Sequence, residues 1–137
     1  MKTFFDSSAL AKRYVEEPGS QAVESLCATA TELALSVVCI PEIVSALNRC
    51  VRERSLSASQ YEVAKESLSA DIRDVSIVNL TPYVISTCTA VLEAGPVRAM
   101  DALPIACAVR WVAELFVSAD KRQVAAAKRA GLRTRLV

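Results

Sequence analysis

Five short apolar runs rich in β-prone residues recur along the chain, each separated from the next by a stretch with helical periodicity. The runs are Thr3-Phe4-Phe5, Leu33–Val38, Val75–Leu80, Leu115–Ser118 and Thr134–Val137. They are continuously apolar more than alternating, so each has to bury both faces. Strands joined by helical crossovers run parallel, and helices on both sides provide the burial. The predicted fold is therefore α/β: a three-layer α/β/α domain with a central parallel sheet of four to five strands. At 137 residues the chain makes one such domain, 1-137. Only 3 glycines and 5 prolines argue against a sandwich or barrel, which needs many turns.

The segments between the runs carry start and stop signals. Ser8–Tyr14 reads helical. Ser20 is placed as the N-cap of a helix through Ala28, and Pro41 as the first residue of the next. Ser57-Ala58-Ser59-Gln60 is a capping box, and Thr81-Pro82 starts a helix to about Glu93. Asp101 opens a helix through Val112. Asp120 caps another to Ala130, with Gly131 closing it.

The chain contains no histidine. Ser-His-Asp and Cys-His catalysis and His-ligated zinc are excluded, leaving carboxylates, hydroxyls, thiols, amines or a metal. Lys and Arg number 16 and Asp and Glu 15, so bulk positive charge does not recruit a polyanion. The five cysteines, Cys27, Cys39, Cys50, Cys88 and Cys107, form no C-x-x-C pair and read as small core residues. The longest uncharged stretch, Val75–Leu92, is too polar for a membrane span, and the N-terminus lacks the apolar core of a signal peptide. A soluble, cytoplasmic protein is expected.

In a parallel sheet the ligand crevice lies beyond the carboxyl ends of the strands. Asp6 ends the first strand, Glu42 opens the helix after the second, and Asp120 follows the fourth. Asp101 joins them if its helix begins at that edge. Singly, Asp6 is also a turn residue, Asp101 and Asp120 are also N-caps, and Glu42 also suits a helix dipole. For Asp101 as N-cap, Pro104 would fall at the third helical position, where it offers no N–H to the carboxylate. Jointly, four acids at one edge call for raised pKa values or a cation. Hard oxygen ligands suit Mg²⁺ or Mn²⁺, with Asp6, Asp101 and Asp120 as metal ligands and all four acids as catalytic candidates. Ser7, Ser8 and Ser118 are supporting hydroxyls near that edge. Lys12, Arg13, Arg98, Lys121 and Arg122 are candidate phosphate contacts, with Arg49 and Arg52 nearby. Trp111 and Phe116 read as core.

These residues resemble the PIN-domain family, and within it the VapC-type toxins. The carriers are F-F-D-S-S-A-L-A-K-R-Y-V-E-E-P-G-S through Asp6 and Ser8 and S-V-V-C-I-P-E-I-V-S-A-L through Glu42. R-A-M-D-A-L-P-I-A-C-A continues them through Asp101, and V-S-A-D-K-R-Q-V-A-A-A-K-R-A-G-L through Ser118 and Asp120. Pro104 departs from the family's usual histidine or larger residue. The resemblance implies a Mg²⁺- or Mn²⁺-dependent endoribonuclease acting on cellular RNA. It also implies a homodimer and a small cognate antitoxin protein whose tail occupies the acidic groove. Two alternatives stand beside it: a catalytically inactive PIN-like interaction module, and a metal-dependent phosphatase on small phosphoesters.

Overall fold

The computed structural model describes all 137 residues. The elements in chain order are β1 (Lys2–Phe5), α1 (Ser7–Leu10), a 3-10 turn (Ala11–Arg13), α2 (Ser20–Thr29), β2 (Glu32–Ser36), α3 (Cys39–Arg52) and α4 (Ala58–Asp74). They continue with β3 (Ser76–Val78), α5 (Pro82–Glu93), α6 (Ala99–Arg110), β4 (Leu115–Ser118), α7 (Lys121–Arg129) and β5 (Thr134–Leu136). The strands form one sheet in the order β3-β2-β1-β4-β5, every pairing parallel. The three-layer α/β/α arrangement with five strands is the one the apolar runs predicted.

Alternation along the strands divides the core in two. Phe4, Ala34 and Phe116 face one side and pack with α5, α6 and α7. Phe5, Leu35, Leu115 and Val117 face the other and pack with α1, α3 and α4. Register sets this: Phe4 lies opposite Ala34 and Phe116, and Phe5 opposite Val117. Phe4 and Phe116 stack with ring centroids 6.0 Å apart. Cys39, Cys88 and Cys107 are buried, Cys27 and Cys50 half-buried, and all five are free thiols. No helix is long and apolar enough to cross a membrane.

The chain winds outward from β1 through β2 to β3, then returns to place β4 on the other side of β1. The direction of winding reverses between β1 and β4, which opens a crevice at their carboxyl ends. Asp6 and Ser118 stand at that point.

Several boundaries differ from the sequence expectation. Gly19, not Ser20, N-caps α2, with φ at +99°. The Ser20 hydroxyl instead accepts from Glu17 N. β2 stops at Ser36, whose hydroxyl accepts from Val38 N, and α3 starts at Cys39. Pro41 is thus its third residue, not its first. That costs no hydrogen bond, because the first four N–H groups of a helix have no intrahelical partner. α6 begins at Ala99 with Arg98 as N-cap, so Asp101 lies in the first turn and Pro104 lies inside the helix. The expectation of Asp101 as N-cap, with Pro104 lacking an N–H for it at the third helical position, therefore does not apply. α1 is a single turn that tightens into the 3-10 turn before Tyr14.

Three helices end in the same hydrogen-bond pattern. After α7, Gly131 N donates to Lys128 O and Leu132 N to Ala127 O. After α6, Val112 N donates to Val109 O and Ala113 N to Ala108 O, and Arg54 repeats the arrangement after α3. This motif needs a left-handed residue just past the cap, a place that favours glycine. Gly131 meets it at φ +87°, but Val112 does so at φ +59° with a β-branched side chain that is 72% exposed. The left-handed conformation costs an L-residue about 1–2 kcal/mol, and Val112 recovers little by burial. Val112→Gly is expected to raise stability by about 1 kcal/mol in urea denaturation. An unchanged or lower midpoint would mean that the valine side chain contributes packing this exposure does not account for.

Candidate functional site

Asp6 continues the sheet by one residue: its N–H donates to Val117 O at 2.9 Å, tying the end of β1 to β4. It is 6% exposed and is the N-cap of α1. Its Oδ2 accepts from Ser8 N at 3.0 Å and from Ser8 Oγ at 2.7 Å. Its Oδ1 accepts from Gln123 Nε2 at 3.1 Å. A carboxylate offers about four lone-pair sites, two per oxygen. Oδ2 is therefore filled, and Oδ1 keeps one site uncommitted.

Gln123 is the residue that sequence reasoning overlooked. It was visible only as the glutamine three places after Asp120, a capping-box spacing. The side chain makes no such reciprocal bond; it lies buried at 1% exposure and bridges three elements. Nε2 donates to Asp6 Oδ1 and to the Asp101 carbonyl, each at 3.1 Å. Both partners are acceptors, so the amide orientation is forced and Oε1 must face Ser118. Ser118 Oγ then has to donate to Oε1, at 2.7 Å, while accepting from Asp120 N. Ser8 Oγ likewise gives its proton to Asp6 and accepts from Ala119 N. Both serine hydroxyls are thus braces with their protons committed. Ser118 is fully buried, so it supports the site from within and meets no phosphate.

Asp120 N-caps α7: Oδ1 accepts from Arg122 N at 2.7 Å and from Gln123 N at 3.3 Å, and Oδ2 is uncommitted. The cap roles of Asp6 and Asp120 are thus real, and they coexist with the site. Asp101 commits neither side-chain oxygen to capping, and its place in the first turn of α6 suits the helix dipole. Glu42 lies in the first turn of α3, with Oε1 buried and without a partner.

The four carboxyls are electrically coupled. Burial pushes Glu42 up from 4.5 to about 7, the negative charges of Asp6 and Asp101 add to it, and the nearby Ser7 hydroxyl opposes it. Burial also raises Asp101, with Asp120 and then Asp6 adding to the effect and Arg98 opposing it. None of the four forms an ion pair. In this side-chain arrangement no three of them close to metal-ligand spacing. The donor set nonetheless fits a hard divalent cation: it is all oxygen, it carries uncommitted lone pairs on three aspartates, and Glu42 Oε1 is an orphaned buried acceptor.

The family model of the PIN domain matches residues 3–129. The chain belongs to the PIN domain family. No curated protein matches it. Among solved structures, VapBC2 from Rickettsia felis bound to a promoter DNA fragment aligns with a TM-score of 0.69 at 12% identity, covering 100% of this chain and 99% of that one. PAE2754 from Pyrobaculum aerophilum aligns at 0.71 and 18% identity, covering 98% and 83%. VapC20 from Mycobacterium tuberculosis, a Sarcin-Ricin loop cleaving toxin, aligns at 0.67 and 18% identity, covering 90% and 94%. At such identities the likeness is one of fold.

The basic residues expected around a PIN site divide. Arg13 is drawn into ion pairs with Asp71 at 2.8 Å and Glu24 at 2.6 Å, and Tyr14 OH donates to the same Asp71. Lys12 Nζ donates to the Pro18 carbonyl and stands 3.8 Å from Glu17. Neither cation is free for a phosphate, contrary to expectation. Arg98, Lys121 and Arg122 are exposed and form no ion pair.

Two predictions follow from the wiring of the acids and Gln123. Gln123→Leu leaves three buried polar partners short of a bond and is expected to lower stability by about 2 kcal/mol in chemical denaturation. A loss under half of that would mean that Ser8 and Ser118 re-pair without it. The folded state holds the Glu42 proton more tightly than the unfolded chain, so between pH 4.5 and about 7 it binds more protons. Stability in chelator should therefore fall as pH rises through that window. Glu42→Gln should flatten the fall in melting temperature and melt higher than the parent at pH 8. A slope untouched by this substitution would refute the assignment.

Proposed function

We propose that this chain is a metal-dependent endoribonuclease, the toxin of a type II toxin–antitoxin pair that acts on cellular RNA in the cytoplasm. The observation that supports the reading is that Asp6, Glu42, Asp101 and Asp120 form no ion pair, while the charges of Asp6 and Asp101 act on Glu42 and those of Asp120 and Asp6 act on Asp101. Like charges gathered without an ion pair favour a cation. The likeness in fold to VapBC2 and to a Sarcin-Ricin loop cleaving toxin supports the RNA-cleaving and paired-toxin parts of the reading. A small antitoxin is the expected partner, and a homodimer the expected assembly.

Asp6, Asp101 and Asp120 would hold Mg²⁺ or Mn²⁺, Asp6 through the single open site on Oδ1 and Asp120 through Oδ2. The cation would supply Lewis acidity, drawing in phosphate oxygens and making a water acidic enough to lose a proton near neutral pH. Gln123 and Ser8 hold the Asp6 carboxylate in one orientation, so it need not be ordered when substrate arrives. Glu42, titrating near neutrality, can hold a proton at its buried Oε1.

Asp101→Asn is the cleanest test, because Asp101 caps nothing and its loss leaves the Gln123 bridge to its carbonyl intact. Cleavage of total RNA in Mn²⁺ should fall by about 10²-fold or more, with melting unchanged or raised. Chelation should abolish cleavage in the parent. Cleavage that survives both chelator and substitution would overturn the proposal, as would a protein that hydrolyses only small phosphoesters.

A further inference from the structure

The acids are flanked by two clefts that differ in their supply of cations. One, of about 710 Å³, opens between the loop before α6 and the outer face of α7, and holds Arg98, Arg122 and Arg129 beside Asp101 and Asp120. The other, of about 350 Å³, lies against α1 and α3 and holds Arg49 as its only cation, with Glu17 and Glu42. A strand passing the carboxyls would thus meet three arginines on one side and, on the other, Arg49 alone beside Glu42 and a Glu17 already paired with Lys12.

The three arginines are not ordinary surface charges. None forms an ion pair, although carboxylates line the same cleft. Arg122 and Arg129 are seven residues apart on α7, with Ala125 between them in the same cleft, so they form one stripe. Arg129 is seated by the loop: its Nη2 donates to the Pro96 carbonyl at 3.1 Å, leaving most of its donors free. Gly95 makes room for it. A Cβ on Gly95 would stand 2.5 Å from Arg129 Nε and 2.8 Å from Cζ, so any larger residue pushes the guanidinium away.

We propose that this arginine cleft is the subsite for RNA phosphates on one side of the scissile bond, and that the chain grips its substrate on that side alone. The inference rests on the ribonuclease reading above and adds an asymmetry that reading does not contain. Guanidinium groups suit phosphates by their planar donor fork. The cleft on the α3 side offers the strand one guanidinium, that of Arg49, against three.

The test uses the full chain in Mn²⁺ with single-stranded RNA oligonucleotides around a mapped cleavage site, trimmed one nucleotide at a time from either end. Trimming from one end should raise KM several-fold for each phosphate lost, with kcat nearly unchanged, while trimming from the other has no effect. Arg129→Gln should raise KM, lower the dependence of log KM on log salt by roughly 0.7, and blunt the end effect. Gly95→Ala should act in the same direction by displacing the guanidinium. Arg133→Gln, remote from the cleft, should change neither quantity. Equal sensitivity to trimming at both ends would overturn the proposal while leaving the nuclease intact. So would an unchanged salt slope in a triple Arg98, Arg122 and Arg129 to Gln variant, or polyglutamate competing as well as RNA of equal charge. A parent chain that cuts no RNA at all would overturn the function itself, and the subsite with it.

Discussion

The buried amide of Gln123 joins the end of β1, the start of α6 and the end of β4 at the one place where the sheet changes its direction of winding. Its two donated bonds and one accepted bond leave no choice of orientation; that orientation dictates the hydroxyl proton of Ser118, and the Asp6 carboxylate dictates that of Ser8. A polar network in a low-dielectric interior is worth most when every member is satisfied, and is costly when one is missing. The network also solves an electrostatic problem. Asp6 is nearly buried among other acids, and Gln123 and Ser8 solvate its charge with fixed dipoles, without an opposing charge that would compete with a cation.

Asp6 and Asp120 have a shared construction. Each uses one oxygen to satisfy the first N–H groups of the helix that follows it, and keeps the other free of protein donors or nearly so. Structural and functional readings of such an aspartate are therefore compatible. A helix beginning at the carboxyl edge of a strand needs an N-cap, and an aspartate there is at once a cap and an acid in the crevice. Asp101 and Glu42 are different: they sit inside first turns, cap nothing, and respond most to burial and to their neighbours' charge.

Much of this was legible along the chain because it is local. Apolar runs of three to six residues between helical stretches require a covered parallel sheet, and strand ends locate Asp6 and Asp120 directly. The capping box at Ser57 and the stop at Gly131 follow from neighbouring residues alone. Boundaries slipped where a local signal had two uses. Pro41 tolerates any of the first helical positions, and Ser20 turned back to Glu17 instead of capping α2. Arg13 reads as a free cation along the chain because its partner Asp71 lies 58 residues away.

The sequence by itself determined the fold class, the four acids and their likeness to PIN domains, because periodicity, strand ends and motif spacing are properties of the chain in order. Only the tertiary structure decided that Gln123 reaches across 117 residues to Asp6, that Ser118 is a brace, and that Arg129 joins Arg98 and Arg122 in one cleft. The reason is geometric. Parallel strands bring together ends that lie far apart in sequence, and the partner of a buried polar atom is set by what the crossovers deliver beside it.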